Sequence, residues 1–278
     1  IGVGAGNGPA FIDKSADIKK AVKQILDSKT FDNGTICASE QSIIVERCME
    51  AKVVEELKSQ GAFVLTQEQS RQLGKFILRA NGTMNPMIVG KTCAQIAEYA
   101  GLCGVPSSAR VLVGRETKVG ADAPYSREKL APILGLFVEE NTDRVLERSI
   151  EILHMEGAGH TFSMHAEDEG LVRKFALQIP ASRFLVNTPG ALGGIGATTG
   201  LFPALTLGCG AVGGSSSSNN IGPLDLINIK RVAFGTKELE EIRRESETVQ
   251  NGTSASSSGQ ISQELINAIV DKIVKEFI

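Results

Sequence analysis

The sequence has no tryptophan, only two tyrosines and only three histidines in 278 residues. No apolar run approaches the roughly 20 residues that a helical bilayer span needs. Its five cysteines (37, 48, 93, 103 and 209) form no C-x-x-C pair, and the histidines at 154, 160 and 165 stand at no zinc-finger spacing from them. A scattered, odd set of thiols excludes a disulfide or structural-metal framework and predicts a reducing, cytoplasmic compartment. Cationic excess is missing as well. With 29 Lys and Arg against 32 Asp and Glu, the net charge is -3, so neither nucleic acid nor an anionic membrane is an expected partner. Ile1 to Pro9 lack the basic start and apolar core of a secretory signal. They also lack an initiator Met, and the chain is expected to belong to something longer.

What is present is ordinary globular material, 42% apolar with a mean hydropathy of +0.01. Short apolar runs predict strands at Pro9–Ile12, Ser42–Glu46, Ala62–Leu65, Arg110–Val113, Ile133–Val138, His160–His165 and Arg183–Val186. Helical periodicity falls between them. Ser15–Ser28 puts Ile18, Val22, Ile25 and Leu26 on one stripe behind a Ser15 cap, and Arg47–Ser59, Gln67–Arg79, Asn141–Leu153 and Asp168–Gln178 read similarly. Strands alternating with helices predict an α/β domain over residues 1–245, with a mostly parallel sheet and helices on both faces.

Two segments break this alternation. Asn187–Asn220 is rich in Gly, Ser and Thr, and a structureless loop this long inside a domain is usually functional. Ser246–Gln260 has the composition of a flexible linker, reaching roughly 20 Å end to end. Beyond it, in residues 261–278, Ile261, Leu265, Ile266, Ile269, Val270, Ile273, Val274 and Phe277 recur at three- and four-residue intervals against a polar face. A short tethered amphipathic helix is marginal alone and calls for a partner.

The chemistry-bearing candidate is Cys37, on a turn of small and polar residues, Asp32-Asn33-Gly34-Thr35-Ile36-Cys37-Ala38-Ser39-Glu40-Gln41, between the first helix and an apolar strand. There a sulfur and its own backbone N–H could face a substrate carbonyl, although an inert buried thiol is the commoner occupant of such a position. Cys48, Cys93, Cys103 and Cys209 read as small hydrophobes. Neither Gly2-Val3-Gly4-Ala5-Gly6-Asn7-Gly8 nor Gly193–Thr199 is a dinucleotide fingerprint or phosphate loop. The glycine segment instead predicts a close backbone approach to a substrate pocket formed by Asn187, Thr188, Gly194 and Ile195.

The Cys37 turn and the preceding Gly4-Ala5-Gly6-Asn7-Gly8-Pro9-Ala10 resemble the CoA-acylating aldehyde dehydrogenases. So do Gly157-Ala158-Gly159-His160-Thr161, Gly193-Gly194-Ile195-Gly196-Ala197-Thr198-Thr199 and Leu207-Gly208-Cys209-Gly210. That family includes the aldehyde dehydrogenase part of bifunctional aldehyde–alcohol dehydrogenases, and the acetaldehyde and propionaldehyde dehydrogenases of bacterial microcompartments. The resemblance runs from about Ile1 to Gly235 and implies the catalytic half of such an enzyme. It also implies a short aldehyde as substrate, NAD or NADP as hydride acceptor, CoA as co-substrate, no metal, and a homo-oligomer.

Cys37 would then be the nucleophile, and its backbone N–H one oxyanion donor. His160 would accept the proton of the incoming CoA thiol, unless it is simply a hydrogen-bonded strand histidine. His154 and His165 read as structural or surface residues. Glu128, in Arg127-Glu128-Lys129-Leu130-Ala131-Pro132, would reach the nicotinamide ribose; Leu130 departs from the usual Phe, and a solvated helix-start carboxylate is the alternative. Aligning the hydrolytic relatives' Glu-Leu-Gly-Gly run on Gly2-Val3-Gly4-Ala5 leaves Gly2 where their water-activating carboxylate stands, which favours thiolysis over hydrolysis. The family's nucleotide-binding domain would precede Ile1, so the chain alone is expected to turn over poorly. The tail resembles the encapsulation peptides of microcompartment cargo, with a shell protein as partner and the microcompartment lumen as location; a dimerisation helix or disordered remnant are its alternatives. The competing functions are a hydrolytic or semialdehyde dehydrogenase and a non-catalytic cargo or scaffold module.

Overall fold

A computed structural model describes residues 3–244. Gly2, the linker at 246–260 and the tail at 261–278, each singled out in the sequence, lie outside the described residues. The chain divides into two units, Ile1–Ile227 and Asn228–Ile278. Of the second, the described stretch carries exposed Val232 and Phe234.

The first unit holds all seven expected strands: β1 (Pro9–Ile12), β2 (Ser42–Glu46), β3 (Ala62–Val64), β4 (Val111–Arg115), β5 (Ile133–Glu139), β6 (Gly159–His165) and β7 (Ala181–Val186). They form one parallel sheet in the order β3-β4-β5-β2-β1-β6-β7. Strand side chains alternate between faces, so neighbours in sequence feed different cores. Ala10, Ile12, Ile43, Val45, Leu134 and Leu136 pack on α1 (Ile18–Thr30) and α2 (Glu50–Ser59). On the opposite face, Phe11, Ile44, Phe137, Phe162 and Met164 pack under α5 (Thr142–Met155) and α6 (Glu169–Ala176), while Leu112 and Ile133 pack under α3 (Gln67–Ile77) and α4 (Cys93–Tyr99). Phe175 of α6 stacks on Phe11 with ring centroids 5.2 Å apart, a contact worth about 0.5–1.5 kcal/mol beyond its buried area. The α/β architecture with helices on both faces is as the alternation predicts.

Three local expectations are corrected. The cap of α1 is Asp17, whose carboxylate accepts the Lys20 N–H; Ser15 instead donates to Asp13. The helix α4 was not expected, because its seven residues are too few for a clear stripe; Thr92 and Gln95 close a capping box on it. The glycine segment is not structureless. It opens with a short helix, α7 (Gly190–Gly194), and is pinned farther along by a bridge between Leu207 and Asn220. Among the described residues no helix is long and apolar enough to cross a membrane.

Candidate active site

The functional candidates gather at the amino ends of the strands. Gly6 lies just before β1, Cys37 before β2 and Glu128 before β5, while His160 and Arg183 sit at the starts of β6 and β7. This is the reverse of the usual placement in open parallel sheets, where ligands meet the carboxyl ends.

Cys37 is delivered there by a left-handed bend. Asp32, Asn33 and Gly34 follow one another at φ 47°, 48° and 76°, in the region that Asn, Asp and Gly tolerate best. The bend is stitched by Thr35 Oγ1 donating to Asp32 Oδ2 at 2.5 Å and by Asn33 Nδ2 donating to the Gly90 carbonyl at 3.1 Å. Gly34 has no room for a side chain, since a Cβ there would come within 2.7 Å of the Ala131 carbonyl oxygen. A turn from Ser39 N–H to the Ile36 carbonyl, 2.9 Å, then closes around Cys37. The cysteine is half-buried rather than sealed.

Across from it runs the glycine-rich stretch before β1. Gly6 lies against the Cys37 backbone so closely that any side chain would collide with the Cys37 carbonyl. The Gly6 N–H donates to Glu128 Oε1 at 2.8 Å, which hangs that carboxylate beside the thiol. Glu128 is anchored from behind, its own N–H donating to Glu156 Oε2 at 2.8 Å, and Glu156 also pairs with Arg127. Burial raises the Glu128 carboxyl above its ordinary range. Burial first, and the Glu128 charge second, raise the Cys37 thiol; Arg183 and the cysteine's own backbone N–H pull the other way. The balance favours the thiol over the thiolate.

His160 lies at the start of β6, fully buried, with Nδ1 2.8 Å from Thr161 Oγ1 and Nε2 without a partner among the described residues. Burial, helped by the Arg183 charge, pushes its ring down to about 3. Such surroundings favour the neutral imidazole over the charged one. His165 is also buried, and not a surface residue.

The four pocket candidates separate. Gly194 packs on Ala38, the residue after Cys37, where an added Cβ would meet the Ala38 Cβ at 2.6 Å. The Thr188 hydroxyl pairs with that of Thr198 at 2.6 Å. Ile195 lines a separate cavity with Gly196, Pro203 and Leu205. Asn187 does not stand at a pocket mouth with a free amide. It takes up φ 51° and bonds the Ala166 N–H and carbonyl at 3.0 and 2.8 Å, so its side chain is a joint between segments. Cys48 and Cys103 are exposed rather than packed as small hydrophobes, whereas Cys93 and Cys209 are buried.

The sequence reading passed over Arg183. Buried in β7, it donates to Gly208 and Ser218 carbonyls and places its charge near Cys37 and His160. A charged residue opening an otherwise apolar strand was the available signal.

The aldehyde dehydrogenase family model matches residues 4–127. Solved structures similar to the chain include the following three. A probable aldehyde dehydrogenase of Listeria monocytogenes is 65% identical over 87% of this chain and 53% of its own, with a TM-score of 0.84. An acetylating aldehyde dehydrogenase of Geobacillus thermoglucosidasius is 47% identical, covering 86% and 52%, with a TM-score of 0.82. A propionaldehyde dehydrogenase of Rhodopseudomonas palustris with bound propionyl-CoA is 29% identical, covering 78% and 47%, with a TM-score of 0.69. Against the curated aldehyde–alcohol dehydrogenases of Entamoeba histolytica and Escherichia coli, 38% and 42% identical over 87% and 84% of this chain, the chain spans 29% and 26% of their length. With the matched model, the parallel sheet and the Cys37 turn in agreement, the chain belongs to the aldehyde dehydrogenase family.

Proposed function

We propose that this chain carries the acyl-transfer centre of a CoA-acylating aldehyde dehydrogenase, with Cys37 as nucleophile and a short aldehyde as substrate. The observation that carries the reading is a half-buried thiol on a strained bend, faced by a side-chain-free backbone at Gly6 and by the Glu128 carboxylate. The bound propionyl-CoA of the R. palustris relative supports CoA as the acyl acceptor.

The Cys37 thiol releases its proton to solvent and its sulfur bonds to the aldehyde carbon, whose C=O π pair moves onto the oxygen as charge beside the Cys37 N–H. NAD or NADP, when bound, supplies the two-electron acceptor that turns this adduct into a thioester. Glu128 fits a ribose partner: an ionised carboxylate is acceptor-only, and one of its oxygens is already fixed by Gly6. The CoA thiol then bonds to the acyl carbon, the Cys37–carbon bond breaks, and the returning sulfur recovers a proton. Neutral His160 serves here as a hydrogen-bonding group rather than a store for that proton. Thiolysis over hydrolysis rests on the missing carboxylate at Gly2 and remains part of the proposal.

The complete gene product, incubated with propionaldehyde and NAD, should carry a single propionyl mass on the Cys37 peptide. That mass should persist in water and vanish on adding CoA. A label on another cysteine, or release as fast without CoA as with it, would overturn the reading. The microcompartment location rests on the sequence of 261–278; deleting Gln260–Ile278 should abolish co-localisation with shell proteins and leave acyl transfer intact, whereas lost activity favours a dimerisation helix.

A further inference from the structure

Three residues past Cys37, Glu40 is 1% exposed, a carboxylate deep in the protein. Its Oε1 accepts the N–H of Gly190 at 2.8 Å, at the first residue of α7. The Ser28 hydroxyl of α1 faces the same carboxylate and accepts the Ala191 N–H at 2.8 Å. Next to it, Lys29 Nζ donates to Gln41 Oε1 at 3.0 Å and to the Lys129 carbonyl at 3.1 Å. The end of α1 and the Cys37 turn that follows it therefore meet the distant start of α7 on one acid.

The fit around it is tight. A Cβ at Gly190 would come within 2.7 Å of Glu40 Oε1 and 2.9 Å of the Ala38 carbonyl oxygen, and one at Gly194 within 2.6 Å of the Ala38 Cβ. Glycines four apart share one helix face, and here that face lies flat on the residue following Cys37. Oε2 of Glu40 is enclosed with no partner among the described residues.

We propose that Glu40 is a positioning residue that sets the separation between the Cys37 turn and α7, and through it the acyl-group size the site accepts. The proposal rests on Cys37 being the nucleophile. Asp in place of Glu shortens the reach by one methylene and releases Gly190. Gln keeps both the length of Glu and an acceptor oxygen for Gly190, so the spacing is retained.

The test uses the complete gene product and compares acetaldehyde with propionaldehyde. Glu40→Asp should lower kcat/KM for Cys37 acylation by about tenfold or more, a misplacement effect, and should change the ratio of the two aldehydes by about threefold or more. Glu40→Gln should stay within about threefold on both measures. Ser28→Ala, which leaves Glu40 in place and removes the link to Ala191, should move the ratio in the same direction by less. A general loss of folded enzyme lowers both aldehydes together and leaves the ratio alone. An unchanged ratio in Glu40→Asp overturns the proposal; if that variant does not fold, an unchanged ratio in Ser28→Ala overturns it instead. The wild-type arm separates the two readings, because absence of acyl mass on Cys37 there removes the nucleophile before Glu40 is at issue.

Discussion

At the scale of single residues, the Cys37 sulfur is governed by competing neighbours. Glu128 opposes its ionisation and Arg183 favours it, with burial the largest influence of all. Replacing Glu128 by Gln removes the opposing charge while keeping an acceptor oxygen for the Gly6 N–H. The pH profile of Cys37 alkylation by iodoacetamide, followed by peptide mass spectrometry, should then shift to lower pH, with faster labelling at pH 7 and no change at exposed Cys48 and Cys103. A profile unmoved by the substitution would place the Glu128 charge too far away to matter. Cys37 was singled out by the resemblance of its turn to the family's, since small polar neighbours on a turn fit an inert thiol as well. Arg183 and Glu40 were not. Glu40 matters through a bond to Gly190, 150 residues away, and Arg183 through carbonyls 25 and 35 residues on; no local pattern of a strand arginine or a turn glutamate announces such partners.

At the scale of elements, all seven strands were readable, because continuous apolar runs bounded by polar turns are what a doubly covered parallel strand requires. Five of the helices were readable for the complementary reason, a 3.6-residue stripe long enough to recognise. The Ser15 cap went wrong where two acceptors compete. Asp17 stands one residue before the helix and reaches the Lys20 N–H, while Ser15 is drawn into a turn with Asp13. The glycine segment read as a loop because α7 has almost no side chains to make a stripe; its order comes from backbone laid against Ala38 and from Glu40 and Ser28 at its start. Composition reports side chains, and where the packing is done by main chain it has little to say.

At the scale of the whole molecule, stability and acid are linked through histidines held neutral. Burial pushes His165 down to about 4, and neither ring nitrogen has a partner among the described residues. The unfolded chain takes up that proton near its ordinary value of about 6.5, whereas the folded chain does not until about 4. The contribution is thus fully present above the unfolded value and is lost as pH falls toward the folded one. A His165→Met variant, measured by chemical denaturation beside the parent, should lack a slope of about 1.4 kcal/mol per pH unit across that window. At pH 7 it should be no less stable, since an apolar group replaces unpaired nitrogens. Parallel acid limbs in the two proteins would exclude His165 as a source of acid sensitivity.

The gathering of the centre from segments before β1, β2 and β5 and at the starts of β6 and β7 has a consequence for the newly made chain. Contacts between such remote stretches form late, after the loop-closure cost of bringing them together has been met. A half-folded chain would expose Cys37 as one ordinary thiol among five, blind to aldehydes. With Cys37 as the proposed nucleophile, acyl capture would thus report the completion of assembly, requiring every one of these segments to be in place.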